Sequence, residues 1–129
     1  MTTVGEVMSR NLLTVDPSTS LSEAAARMTD RGVGAALVLS NERVEGILTE
    51  RDVLRAVATG GVEGTHVAAW MTRNPETVDV SEPTGQAAAV MIHGGFRHLP
   101  VLDGSQPAGI VSIRDLMRVV VDDESPRGV

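Results

Sequence analysis

Two segments of the chain carry residue types that could hold a ligand: Gly46-Ile47-Leu48-Thr49-Glu50-Arg51-Asp52 and Gly109-Ile110-Val111-Ser112-Ile113-Arg114-Asp115. In each, an apolar run ends in a hydroxyl residue, and an aspartate follows three positions later. Where a strand turns into a helix, this spacing serves two purposes. One is a capping box, in which Thr49 or Ser112 closes the first turn and Asp52 or Asp115 answers from the third helical position. The other is recognition of a phosphorylated sugar. A helix N-terminus offers unpaired N–H groups and a positive dipole end to phosphate, a hydroxyl there can bond a phosphate oxygen, and a carboxylate one turn in can accept from both hydroxyls of a ribose. Gly46 and Gly109 would let a ligand approach the backbone closely. The two readings are compatible, because a binding corner needs a capped helix too. Arg51 and Arg114 fit either a solvent-facing first turn or a phosphate contact.

The rest of the chain offers no catalytic constellation. There is no Gly-x-Ser-x-Gly, and Gly32-Val33-Gly34 lacks the third glycine of a dinucleotide fingerprint. His93 and His98 are spaced unlike a zinc pair and His66 falls in a glycine-rich linker, so no metal is expected and His98 is assigned to a ligand or to solvent. All 11 basic residues are arginine, which excludes Schiff-base chemistry and a Walker-type lysine and leaves arginine, backbone N–H groups and helix ends to grip anions. A net charge of −6 with scattered arginines gives no footprint for nucleic acid or an anionic membrane. No apolar run is long enough for a membrane span, the N-terminus lacks a signal peptide, and no cysteine is present to form disulfides. A cytoplasmic, non-enzymatic protein with no required cofactor is therefore expected, with no catalytic domain attached.

The elements that must position the two motifs form a repeat. Shifted by 63 residues, positions 4–57 align with 67–120 without a gap, and 21 of the 54 pairs are identical. In each copy an apolar turn (Val4–Met8; Val67–Met71) leads into a short extended segment (Leu12–Val15; Glu76–Val78). A helix follows over Ser20–Met28, with Leu21, Ala24, Ala25 and Met28 on one face and Ser20 or Ser22 as its cap. Pro83 suits the first turn of the second copy's helix, and Gly32 and Gly95 suit the two C-termini. Two β-rich runs at hairpin spacing come next, Ala35–Leu39 with Val44–Leu48 and His98–Leu102 with Ala108–Val111. The closing helices are Glu50–Ala58, with Val53, Leu54 and Val57 apolar, and Ile113–Val121, with Leu116, Met117 and Val120 apolar. Residues 1–59 and 67–121 are the two repeats, 60–66 is the linker, and the polar tail 122–129 reads as disordered. With one Phe and one Trp, the core must be aliphatic, with Met8, Met28, Met71, Met91 and Met117 as core or interface fillers. Trp70 is assigned to the core or a dimer contact in preference to stacking on a ligand. One such unit buries little surface, so two copies should share a core and leave two clefts where ligands bind.

This layout resembles the tandem cystathionine β-synthase (CBS) domain pair, or Bateman module, over roughly residues 1–121. The resemblance rests on the two G-[IVL]-x-[ST]-x-x-D segments, the Arg97-His98-Leu99-Pro100-Val101 strand, and the opening Val-x-x-x-Met followed by Thr-Val. It implies an α+β fold of two βαββα repeats about a pseudo-twofold axis, often dimeric, that binds AMP, ADP, ATP or S-adenosylmethionine in clefts between the repeats. It further implies that Thr49 and Ser112 meet phosphate and that Asp52 and Asp115 meet ribose hydroxyls, with Gly46, Arg51, Arg97, His98, Pro100, Gly109 and Arg114 around them. The copies differ. Gly34-Ala35-Ala36-Leu37-Val38 stands where the second copy has Arg97–Val101, and Glu50 stands where it has Ile113, so the clefts should be unequal. A regulatory homodimer that senses an adenosyl ligand is expected; the alternative is an interaction subunit that docks an unidentified protein through its apolar helix faces.

Overall fold

The computed structural model describes residues 1–124; the part of the expected tail from Ser125 onward lies outside the described residues. The elements run α1 (Val4–Val7), β1 (Thr14–Val15), α2 (Leu21–Arg31), β2 (Ala35–Ser40), β3 (Arg43–Thr49) and α3 (Glu50–Ala58) in the first repeat. A single 3-10 turn (Val67–Ala69), β4 (Thr72–Arg73), β5 (Val78–Asp79), α4 (Thr84–Gly94), β6 (His98–Asp103), β7 (Gln106–Ser112) and α5 (Ile113–Glu124) follow in the second. α5 thus runs three residues past the boundary placed at 121.

Local chemistry explains the boundaries. Ser20 accepts the Glu23 N–H and caps α2, and Gly32 ends that helix at φ 66°. Gly95 ends α4 in the same left-handed conformation, at φ 72°. Pro83 lies one residue before the first helical residue of α4, where its missing N–H leaves no helical bond unmade.

The chain divides into two compact units that do not coincide with the repeats. One holds 11–75 with 105–107; the other holds 1–10, 76–104 and the chain from 108 onward. Each repeat therefore gives its opening turn to the unit built on the other repeat. In the unit of the first repeat, Val67 and Met71 join a core with Leu21, Met28, Val38 and Leu48. In the unit of the second, Val4 and Met8 join Met91, Leu99, Val101 and Val111. Each unit thus has a core of its own. Met8, Met28, Met71 and Met91 are buried as expected, whereas Met117 is about half exposed. Trp70 packs half-buried against the first of these cores. The expected linker is tied down at its end, because Leu21 N–H bonds the Thr65 carbonyl and Val67 N–H bonds that of Thr19.

The sheet of the first repeat has the order β1-β2-β3-β4, with β1 parallel to β2 and the other pairings antiparallel. β4 was not foreseen; its two exposed polar residues have no apolar alternation to mark them as a strand. Glu45 is an extra residue in β3, since Val38 faces Gly46 and Leu39 faces Val44. The β2–β3 hairpin turns on Asn41 and Glu42, at φ 52° and 65°. Two consecutive left-handed residues define a two-residue hairpin turn that strongly prefers Asn-Gly, and Glu42 carries a Cβ penalty of about 1–2 kcal/mol there. Glu42→Gly should accordingly raise the melting temperature, with a net gain of about 1 kcal/mol after the entropy glycine adds to the unfolded chain. A lowered melting temperature on differential scanning calorimetry would contradict that turn. The sheet of the second repeat has the order β5-β6-β7, with β5 parallel to β6.

Candidate strand–helix corners

In the unit of the first repeat, β3 ends in Thr49 and α3 begins at Glu50. Thr49 N–H donates to Asp52 Oδ2 at 2.9 Å, and Asp52 N–H donates back to Thr49 Oγ1 at 3.4 Å. The Thr49 hydroxyl also donates to Asp52 Oδ2 at 3.0 Å. Glu50 N–H is taken by the Gly34 carbonyl at 2.9 Å. In the unit of the second repeat, Ser112 N–H donates to Asp115 Oδ2 at 2.8 Å, Asp115 N–H donates to Ser112 Oγ at 3.1 Å, and Ile113 N–H bonds the Arg97 carbonyl at 2.9 Å. Both capping boxes are therefore closed. These bonds use several of the N–H groups that a helix N-terminus leaves unpaired, so an incoming phosphate meets the hydroxyls and the second helical N–H before it meets the others.

Each aspartate also holds an arginine one turn along, at a spacing that stacks side chains on one helix face. Arg55 Nη1 stands 3.1 Å from Asp52 Oδ1, with the aspartate side chain 8% exposed. Arg118 Nη1 stands 3.5 Å from Asp115 Oδ1, with that aspartate 12% exposed. Reading the motifs missed these two arginines. The available signal was their identity at the repeat offset: Arg55 and Arg118 align, three residues after aligned aspartates.

The remaining candidates separate into three groups. Arg51, Arg97 and Arg114 are exposed, and Arg97 borders the first residue of α5 through its carbonyl. His98 is half-buried at the start of β6, while Pro100 is fully buried within that strand and shapes the strand from inside. At Gly46 and Gly109 the chain lies close on the side where a Cβ would stand: a methyl on Gly46 would lie 2.7 Å from Met71 Sδ and 2.8 Å from the Thr72 carbonyl oxygen. On Gly109 it would lie 2.5 Å from the Ser9 carbonyl oxygen and 2.9 Å from Met8 Sδ. Both glycines are required by the exchanged opening turns. Among the described residues, no three His, Asp or Glu side chains cluster as metal ligands, and no helix is long and apolar enough to cross a membrane.

The model of the CBS domain family matches residues 4–59 and 67–122, and the chain belongs to that family. Among curated relatives, an uncharacterized 17.7 kDa protein of Acidianus ambivalens is 34% identical over 123 residues, covering 94% of this chain and 74% of its own length. Other relatives are longer: the chain spans 22% of one from Arabidopsis thaliana and 43% of one from Methanocaldococcus jannaschii. Two solved structures bear on ligands. The CBS domain pair of protein MJ0100, in complex with 5-methylthioadenosine and S-adenosyl-L-methionine, aligns with TM-score 0.88 at 25% identity over 96% of this chain and 99% of its own. CBSX2 of Arabidopsis thaliana, in complex with AMP, aligns with TM-score 0.81 at 26% identity over 96% and 99%. The fold is thus the α+β tandem CBS pair, and family members of this architecture bind adenosyl compounds.

Proposed function

We propose that this chain is a regulatory sensor, without catalytic chemistry, that binds an adenosyl ligand such as AMP, ADP, ATP or S-adenosylmethionine at its two strand–helix corners. The reading is carried by one coincidence: a fold whose solved relatives hold AMP and S-adenosylmethionine, and a hydroxyl-x-x-aspartate corner repeated in this chain. Thr49 and Ser112 are assigned to phosphate or its equivalent, Asp52 and Asp115 to the ribose hydroxyls, and Arg51, Arg97, His98 and Arg114 to the flanks. The corner of the second repeat is assigned the tighter binding of a phosphorylated ligand. It has Arg97 where the first has Gly34, and Ile113 where the first has the carboxylate of Glu50. Calorimetric titration with AMP, ATP and S-adenosylmethionine tests the reading: at least one should bind saturably, and the absence of heat from all three at millimolar concentration would refute it.

A second feature favours self-association. Leu54 and Val57 on α3 are 67% and 57% exposed, and Met117 and Val121 on α5 are 52% and 60% exposed. Apolar side chains presented this way on amphipathic helices mark an interface. We assign them to a twofold homodimer, with an unidentified protein partner as the alternative occupant. Light scattering at tens of micromolar should give twice the monomer mass; a monomer would remove the dimer and leave the partner.

A further inference from the structure

Asp52 and Asp115 occupy the same place in their repeats, but their surroundings differ in a way that neither motif shows. A carboxylate has about four lone-pair positions. On Asp52, Oδ2 accepts both the N–H and the hydroxyl of Thr49, and Oδ1 accepts Arg55 Nη1 at 3.1 Å. One position remains, whereas two adjacent hydroxyls of a sugar need two. Thr49 can swing its hydroxyl to a phosphate oxygen, but its N–H is fixed by the backbone. With that hydroxyl gone one position is open on each oxygen, and on Oδ1 a sugar hydroxyl must share the oxygen with Arg55 or displace it.

Arg55 is held from its other side. Its guanidinium carbon lies 5.8 Å from the centroid of the Trp70 ring, within cation–π range. The ring is itself fixed, packed against the core of its unit and bordered by Gly61, where a methyl would stand 3.4 Å from Cζ2. At the other corner, Arg118 stands at 3.5 Å, the outer edge of hydrogen-bonding distance, and the residue equivalent to Trp70 is Val7, which has no π face. We propose that Arg55, braced by Trp70, is an internal competitor for the Asp52 carboxylate. It makes the corner of the first repeat the weaker site and couples its filling to release of Arg55 from Trp70. The inference rests on the adenosyl-binding reading above and adds a specificity determinant to it. An exposed arginine held by one ion pair and one ring contact resists displacement by a factor of about five to ten.

Calorimetric titration with AMP, run beside intrinsic fluorescence, tests this directly because Trp70 is the one tryptophan in the chain. Arg55→Met keeps the aliphatic stem and removes the charge. It should strengthen the weaker AMP site about fivefold, while Arg118→Met changes either site less than twofold. Arg55→Lys keeps the charge but loses the planar stack, and should fall between wild type and Arg55→Met. In the wild type, filling the weaker site should change Trp70 emission, and Arg55→Met should abolish most of that change. A fall in affinity in Arg55→Met would overturn the proposal by making Arg55 a ligand contact. Unchanged affinity with unchanged emission would overturn it as well, and would leave AMP binding intact. If neither the wild type nor any variant binds AMP, this inference fails, and the adenosyl reading then stands or falls on the titrations with ATP and S-adenosylmethionine above.

Discussion

Gly109→Ala should lower the melting temperature by about 10 °C, although it adds a single methyl group to a half of the chain that keeps every other residue. The methyl would arrive 2.5 Å from the Ser9 carbonyl oxygen. That oxygen cannot retreat cheaply, because Ser9 and Ile110 exchange two backbone bonds, Ser9 N–H to the Ile110 carbonyl at 2.8 Å and Ile110 N–H to the Ser9 carbonyl at 3.1 Å. Moving the opening turn away would also lift Met8 and Val4 from the core they complete. Overpacking against fixed backbone costs about 2–3 kcal/mol, near the upper end of its usual range. For a chain of this size that corresponds to roughly 3–5 °C per kcal/mol. Gly85→Ala in the same unit is the control. Nothing lies within 4 Å of its added methyl, and Gly85 sits in α4, so its melting temperature should hold or rise. Equal melting temperatures for the two variants would show that the opening turn does not pack as described.

Asp115→Asn should weaken AMP binding tenfold or more, and by more than Asp52→Asn does. The loss follows from the chemistry of the contact: hydrogen bonds from a ribose to an ionised carboxylate contribute roughly 1.5–3 kcal/mol, and an amide offers one acceptor oxygen where the carboxylate offers two. The ranking follows from the surroundings. Asp115 has Arg97 and Ile113 beside its corner, whereas Asp52 has Glu50 and is tied to Arg55. Melting temperatures of both variants measure the capping contribution separately, since losing a capping-box partner costs about 1 kcal/mol at either site. Wild-type affinity in both variants would confine the aspartates to capping. A larger loss for Asp52→Asn would keep the ribose role and reverse the order of the two corners.

Much of this architecture is legible from residue types alone, and most of the failures share one cause. The helices could be placed because their signals are local: Ser20 and Gly32 bracket α2, and the bounds read for the closing helix of the first repeat, Glu50–Ala58, are those of α3. The capping boxes could be read for the same reason, since hydroxyl and aspartate are three residues apart. What escaped was set by residues distant in the chain. No local signal shows that Thr72 and Ser9 pack against Gly46 and Gly109. β4 is a strand because β3 offers it an edge, with Gly46 facing Arg73 and Ile47 facing Thr72. The exchange of opening turns is equally non-local: Val4 and Val67 carry the same periodicity whichever core they enter. Arg55 and Arg118 escaped for a different reason. They lie outside the seven-residue motif, although their spacing from the aspartates placed them on the same helix face.

The central claim, that the corners bind an adenosyl ligand, is tested most directly by thermal unfolding with and without ligand. At about 100 times its dissociation constant, one bound ligand adds roughly 2.7 kcal/mol to the stability of the folded chain. At the scale given for Gly109→Ala, this raises the melting temperature by about 10 °C. The account predicts such a rise with at least one of AMP, ADP, ATP and S-adenosylmethionine, and its fall by about half or more at the same ligand concentration when Asp52→Asn and Asp115→Asn are combined. No rise with any of the four at millimolar concentration, or an equal rise in the combined variant, would contradict it.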